Sequence, residues 1–305
     1  MGVQYYSSED AGAPVLSGQA GALTALLDAC VVDGYGSKPA LGWEIAFTGT
    51  DLRAYRSTDP DASGALLRVQ DTGTTVAMLR GFLTMSDIDT GTFSFPTSAQ
   101  AASGLYAHKS NSATSDSRAW YLVGDERAFL LATNAYSSYW SVHFFGDVIG
   151  YSPTDAAAAI LLADTSNSAT GYAGFDAGGM TTGSPRSRWA RGIDEMTESP
   201  LLGCSVISAN NQSIGYGGYC CEYPNVVDGS IGVAPIILRE VVSGGAILRG
   251  QLPGIFQPLH NHGLEFGALI PGNGDLTGRN LVVVLNGASS SAIGNVIVDV
   301  TGPWR

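Results

Sequence analysis

The residues best suited to chemistry lie near the C-terminus, in Gly254-Ile-Phe-Gln-Pro-Leu-His260-Asn-His262-Gly-Leu-Glu265. In a strand, His260 and His262 point to one face, as two ligands of one metal must. Glu265 would complete a two-histidine, one-carboxylate set of the kind held inside a β-barrel. Only two residues separate His262 from Glu265. His108 and His143 stand far upstream with no ligand-type residue beside them, so a fourth ligand would have to come from a distance. The expectation is no metal, no other cofactor and no catalytic residue; His260, His262 and Glu265 are the set to inspect if a metal is found.

Two Asp-Thr-Gly triplets, at Asp71 and Asp89, match the short signature of a shared-proton carboxylate pair. They lie 18 residues apart in one region, so they read instead as turns, with an Asx side chain folding back on its backbone and Gly supplying positive φ. Gly272-Asn-Gly-Asp-Leu-Thr-Gly278 imitates a dinucleotide loop, but the apolar run Leu281–Leu285 that follows is a strand, not the helix N-terminus that would hold a pyrophosphate. No nucleophile elbow, phosphate-binding loop or zinc-protease helix motif occurs. Cys30 sits on an apolar helical stripe and reads as core.

Fifteen basic residues against 27 acidic ones give a net charge of −12, which disfavours nucleic-acid binding. The densest basic group, Arg186, Arg188 and Arg191, lies in a Gly/Ser/Thr-rich stretch beside Asp194 and Glu195. It reads as a solvated loop and as a candidate contact element. The four cysteines, Cys30, Cys204, Cys220 and Cys221, form no CxxC pair and are expected as reduced thiols. The N-terminus has neither the basic nor the apolar region of a signal peptide, and no apolar run is long enough for a bilayer span, so cytosolic synthesis without membrane insertion is expected.

The elements that must position these residues are mostly strands. Glycine makes up 40 of 305 residues and charged residues only 14%, against a usual ~25%, which suits an ordered, turn-rich β protein. One helix stands out: Leu23, Leu26, Leu27, Cys30 and Val31 form a stripe at helical spacing, with Ser17 as its N-cap and Asp33-Gly34 as its stop. Short apolar runs separated by turns then predict strands at 43–47, 66–69, 76–80, 120–123, 129–131 and 139–145. Trp120–Val123 and Ala128–Ala132, joined by Gly124-Asp-Glu-Arg127, predict a hairpin. A short helix is expected over 155–163, and further strands at 201–208, 233–242, 246–252, 264–270, 280–286 and 295–301. The predicted class is mainly β: antiparallel β-sandwich or barrel-like domains with one short N-terminal amphipathic helix (about 17–32). The predicted division is a β-rich domain over 1–163, a Gly/Ser/Thr-rich loop or linker over 164–200, and an antiparallel β-sandwich over 201–305.

Several segments carry a resemblance. Pro14 through Tyr35, with Lys38-Pro39 and Gly42-Trp43, resembles the start of a group of tailed-bacteriophage virion structural proteins. Leu67-Arg-Val69, Arg80-Gly-Phe82, Phe144-Phe-Gly-Asp147 followed by Asp155, and the terminal Val298-Asp-Val-Thr-Gly-Pro-Trp-Arg305 extend it over most of the chain. The resemblance implies a non-enzymatic particle component, in the head-to-tail neck or collar or in the tail or baseplate, assembled in the host cytoplasm. The implied partners are other virion proteins (portal, connector or tail components) and further copies of the chain in a homo-oligomer, with neither sequence-specific nucleic acid nor membrane. It assigns no catalytic residue. Candidate contact elements are the Arg186–Arg191 loop, an N-terminal arm over Val3–Glu9, and Trp304-Arg305. The alternatives are an adhesin-like or carbohydrate-binding module using Tyr136, Tyr139 and Trp140, and a cupin-like metal enzyme using His260, His262 and Glu265.

Overall fold

The computed structural model describes residues 2–136, 139–163, 187–206, 223–260, 263–285, 287–288 and 295–305. Strand β1 (Gln4–Ser7) precedes helix α1 (Ala22–Leu27), which winds on as a π-helical stretch over Asp28–Asp33. A first group of strands follows: β2 (Trp43–Gly49), β3 (Leu52–Ser57), β4 (Leu66–Gln70), β5 (Val76–Asp87), β6 (Thr90–Phe95) and β7 (Leu105–His108). The second is β8 (Trp120–Gly124), β9 (Ala128–Tyr136), β10 (Tyr139–Asp147), β11 (Ile149–Gly150), β12 (Ala159–Leu162) and β13 (Arg188–Trp189). The last is β14 (Leu202–Val206), β15 (Val233–Val242), β16 (Gly245–Pro258), β17 (Leu269–Pro271), β18 (Asn280–Leu285), β19 (Gly287–Ala288) and β20 (Asn295–Asp299).

The fold is mainly β, in three antiparallel sheets with one short helix, and among the described residues no sheet closes into a barrel. The N-terminal sheet has the order β2-β3-β4-β5-β6, with β7 also on β5; the middle sheet runs β1-β8-β9-β10-β12-β13, with β19 on β10. The C-terminal sheet runs β14-β15-β16-β20-β18-β17, with β11 on β16.

The middle sheet is buried on both faces, and strand alternation divides its side chains between two cores. Trp120, Leu122, Phe129, Leu131, Phe145, Ala159 and Leu161 face the helix and the N-terminal sheet, where Leu67, Val69, Ala77 and Leu79 meet them. Tyr121, Val123, Leu130, Val142, Phe144, Ile160 and Leu162 face the C-terminal sheet and its Ile236, Leu238, Val282, Val284, Val296 and Val298. Residues 201–305 thus supply one sheet apart from β11 and lend β19 to the middle sheet, which supplies the face packed against it. A third, smaller core on the outer side joins Ile231, Ile270, Leu281, Val283 and Ile297.

Several local expectations change for tertiary reasons. Residues 155–163 end in strand β12, whose Ala159–Leu162 pairs with Asp147–Phe144 of β10, so pairing in a doubly covered sheet overrides the helical preference of Ala and Leu. The predicted N-terminal arm is strand β1, paired from Gln4↔Gly124 to Ser7↔Tyr121, with Tyr6 fully buried. Strands β3, β6 and β7, which the apolar runs did not predict, place Tyr55, Phe95 and Leu105 in the first core. The predicted Trp120–Ala132 hairpin is present as β8–β9.

The helix stripe is buried as read, but Ser17 does not cap it. Gly21, with φ of 79°, turns the chain so that the helix begins at Ala22 without a side-chain cap of its own. Its open N–H groups are met from 48 residues away: one Asp71 carboxylate oxygen accepts from the Leu23 N–H (2.6 Å) and the Thr24 N–H (3.2 Å). The other oxygen takes a hydrogen bond from Lys109, which also donates to the Gln19 carbonyl at 2.5 Å; Asp71 and Lys109 are both fully buried. Asp71 is therefore a cap and ion-pair partner inside the core, not the surface turn its triplet suggested, whereas Asp89 pairs with Arg68 at an exposed hairpin end.

Removing one member of such a pair strands the other's charge in the core. Asp71→Ala should cost about 3–5 kcal/mol of stability, read as a lowered urea midpoint; an unchanged midpoint would show that the pair does not hold the helix.

Candidate functional site

The expected metal set does not assemble among the described residues. His260 is buried, and its Nε2 accepts the Gly232 N–H at 2.7 Å, which occupies the lone pair a metal would need. Glu265 is exposed in the turn before β17, and His262 lies outside the described residues. No group of three or more His, Cys, Asp or Glu side chains converges among the described residues.

The arginine cluster is not a free loop where it is described. Arg188 is buried in β13 beside the fully buried Trp189, and Arg191 lies over the Phe93 ring at 4.6 Å, bridging to the N-terminal sheet. Asp194, which follows these arginines in the sequence, accepts the Thr197 and Met196 N–H groups at 2.9 Å each. The Thr197 N–H leads in holding its pKa down to about 2. Arg186, Cys220 and Cys221 lie outside the described residues.

Trp304 and Arg305, expected as outward contacts, are folded onto their own chain. The Trp304 indole is buried in the second core, donates to the Asp299 carbonyl at 2.9 Å, and lies over Gly254, where any Cβ would collide with the ring. The Arg305 guanidinium bonds the Asp125 carboxylate and the Asp147 carbonyl (2.5 Å). Trp140, a candidate for sugar stacking, is buried against Phe266 with ring centroids 4.3 Å apart, whereas Tyr136 is exposed.

A groove of about 510 Å³ lies where the three sheets meet, lined by Asp61, Ser63, Arg127, Asp147, Ser152 and Asp155 among others. A second lobe of about 370 Å³ shares Ser63, Ser152 and Asp155 and adds Arg191 and Glu195. Two central carboxylates are already committed. Asp147 accepts from the Ser63 N–H (2.9 Å) and hydroxyl, and from Arg127 Nε (3.2 Å) and Nη2 (3.0 Å). Both Asp155 oxygens are held by Arg249, at 2.6 and 2.7 Å. Arg249 is itself buried, bonds Glu240 at 3.0 Å and lies over the Trp189 ring at 4.3 Å. Carboxylates locked to guanidinium groups in this way fasten layers together; they are poorly placed to take a proton from a substrate.

One further constellation escaped the sequence analysis. Ser141 Oγ lies 2.8 Å from His143 Nε2 on the middle sheet, with His108 and Thr133 nearby, and Thr133 donates to the His108 carbonyl at 2.5 Å. The signal was present as Ser-Val-His, a period-two pair on one strand face. Ser141 and His108 are fully buried and His143 nearly so, which leaves this serine–histidine pair no path to a substrate. Burial pushes the His108 pKa down to about 4, and burial with the charge of His108 pushes His143 down to about 3. Burial also pushes the Cys30 thiol up, which leaves it an inert core residue.

Neither a family model nor a curated protein matches the chain.

Two expectations follow. Both histidines are neutral in the fold and take up protons on unfolding below pH ~6.5, so stability is full above that pH and falls as pH drops toward about 4 and then about 3. His108 alone should contribute about 3 kcal/mol of this loss. Urea titrations at pH 7 and pH 4.5 should therefore show a smaller acid-induced loss in the His108→Gln/His143→Gln double variant than in the parent, and equal losses would refute the assignment. Trp304→Ala should lower stability by about 3–5 kcal/mol, read by thermal unfolding of the isolated chain; a neutral effect would return Trp304 to the contact surface.

Proposed function

We propose that the chain is a non-enzymatic structural component of a tailed-phage virion, in the head-to-tail neck or collar or in the tail, working through protein–protein contacts in a symmetric oligomer. One observation carries this reading: charged residues of the virion-like segments serve to tie layers together. Asp147, from Phe144-Phe-Gly-Asp147, joins Arg127 to Ser63; Asp155 holds Arg249; the terminal Arg305 reaches Asp125 and Asp147. A protein whose distinctive residues maintain shape is suited to a task in which shape is the product. Three stacked sheets with a buried middle layer give a rigid body with loops and strand edges available for neighbours. A net charge of −12 disfavours adhesion to a passing genome.

The test is peptide mass spectrometry of gradient-purified particles from a host carrying this gene, with antibody labelling by electron microscopy. The chain is expected at fixed stoichiometry, with label at the neck or tail; purified particles without it would overturn the proposal.

A further inference from the structure

Of the two arginines that line the groove and its second lobe, Arg127 is engaged by Asp147, whereas Arg191 is uncommitted. Among the described residues no hydrogen bond or ion pair engages the Arg191 guanidinium, and its buried Nε has no partner. It lies over the Phe93 ring at 4.6 Å, in the lobe of about 370 Å³. Stacking on a ring holds a guanidinium in place without using its N–H donors.

The backbone around Arg191 is both fixed and strained. A bridge between Arg191 and Glu198 closes the loop that joins them, and within it the Gly192 N–H reaches the Thr197 carbonyl at 2.8 Å. The Ile193 N–H reaches Glu240 at 2.9 Å, and Arg249 donates to the Arg191 carbonyl at 2.5 Å. Four described non-glycine residues have positive φ, and three of them gather here. Phe93 (52°) carries the ring beneath the guanidinium, Glu195 (58°) lies in the loop, and Ser199 (48°) follows it. Such conformations are unfavourable for residues with a Cβ; they persist where the surroundings over-determine them, and they cluster at ligand clamps.

We propose that this lobe binds a hydroxylated monocarboxylate, for which a uronic acid is the simplest cyclic case, with the ligand carboxylate on Arg191. The Nε is buried, so the two Nη atoms are the donors that meet the ligand, and a planar guanidinium engages a carboxylate through paired N–H groups. Hydroxyl donors stand in the same lobe. Ser152 and Thr154 bond each other at 2.9 Å, and Thr84 bonds Thr92 at 2.6 Å, so each pair keeps one proton to donate. Leu83 and Ile193 add apolar surface for the C–H face of a ring.

Charge selects the class. Asp155 is neutralised by Arg249, but Glu195 lines the lobe with no cation paired to it among the described residues. One ligand carboxylate balances Arg191, while the second charge of a phosphate meets Glu195. A neutral sugar leaves the guanidinium unpaired. Glu195 in turn accepts hydrogen bonds from ligand hydroxyls.

Calorimetric titration of the full chain with galacturonate, galactose and inorganic phosphate tests this. Galacturonate should bind, and the other two should bind at least about tenfold more weakly. Arg191→Lys, which keeps the charge and loses the paired donors, should weaken galacturonate binding about tenfold with unchanged circular dichroism and melting temperature. Ser152→Ala/Thr154→Ala, on a surface loop, should weaken it severalfold and serves as the test should Arg191→Lys lose the fold. No saturable galacturonate binding in the millimolar range, equal binding of galactose or phosphate, or binding that ignores these substitutions in a folded chain would overturn the proposal. Particles lacking the chain would sink the virion role and leave this site standing.

Discussion

A sheet covered on both faces turns almost no side chain to water away from its strand ends, and that constraint organises the molecule. Strands β8, β9, β10 and β12 must be apolar at nearly every position, because alternate residues enter alternate cores. The few polar groups on these strands must find partners inside, which is why Ser141 meets His143 and Thr133 meets the His108 carbonyl. The N-terminal sheet is free of this demand on its solvent side, where its strands carry Arg56, Thr84 and Thr92.

Layers held only by apolar contact could slide, and hydrophobic burial sets no register by itself. The charged ties supply direction. Asp71 with Lys109 fixes the helix against the N-terminal sheet, Arg249 with Asp155 and Glu240 fixes the C-terminal sheet to the groove, and Asp147 and Asp125 anchor the chain end through Arg305. Buried pairs of this kind add little net stability over apolar packing, but a broken one is costly, so they favour a single arrangement over near alternatives. The same economy commits the two central carboxylates of the groove, Asp147 and Asp155, to guanidinium groups.

Much of this was legible from local pattern. The helix stripe, the β8–β9 hairpin and strand β15 follow from spacing alone, because each is set by which side chains must be buried together over a few residues. Strand β12 was not legible, since four apolar residues suit helix or strand equally and only pairing with β10 decides between them. The contact elements misled for a related reason. Trp304, Arg305 and Arg188 have the chemistry of an interface, and an interface and a core seam use the same chemistry; only the partner's position tells them apart.

The sequence by itself determined the class of this protein, a turn-rich antiparallel β fold with one docked helix, because periodicity and composition are properties of neighbouring residues. Tertiary structure alone decided that the sheets stack as three layers, that Asp71 caps a helix 48 residues before it, and that His260 is spent on a backbone N–H. Those facts depend on distances between residues far apart in the chain, and side-chain chemistry states what a group is able to bind while the fold states which partner reaches it first.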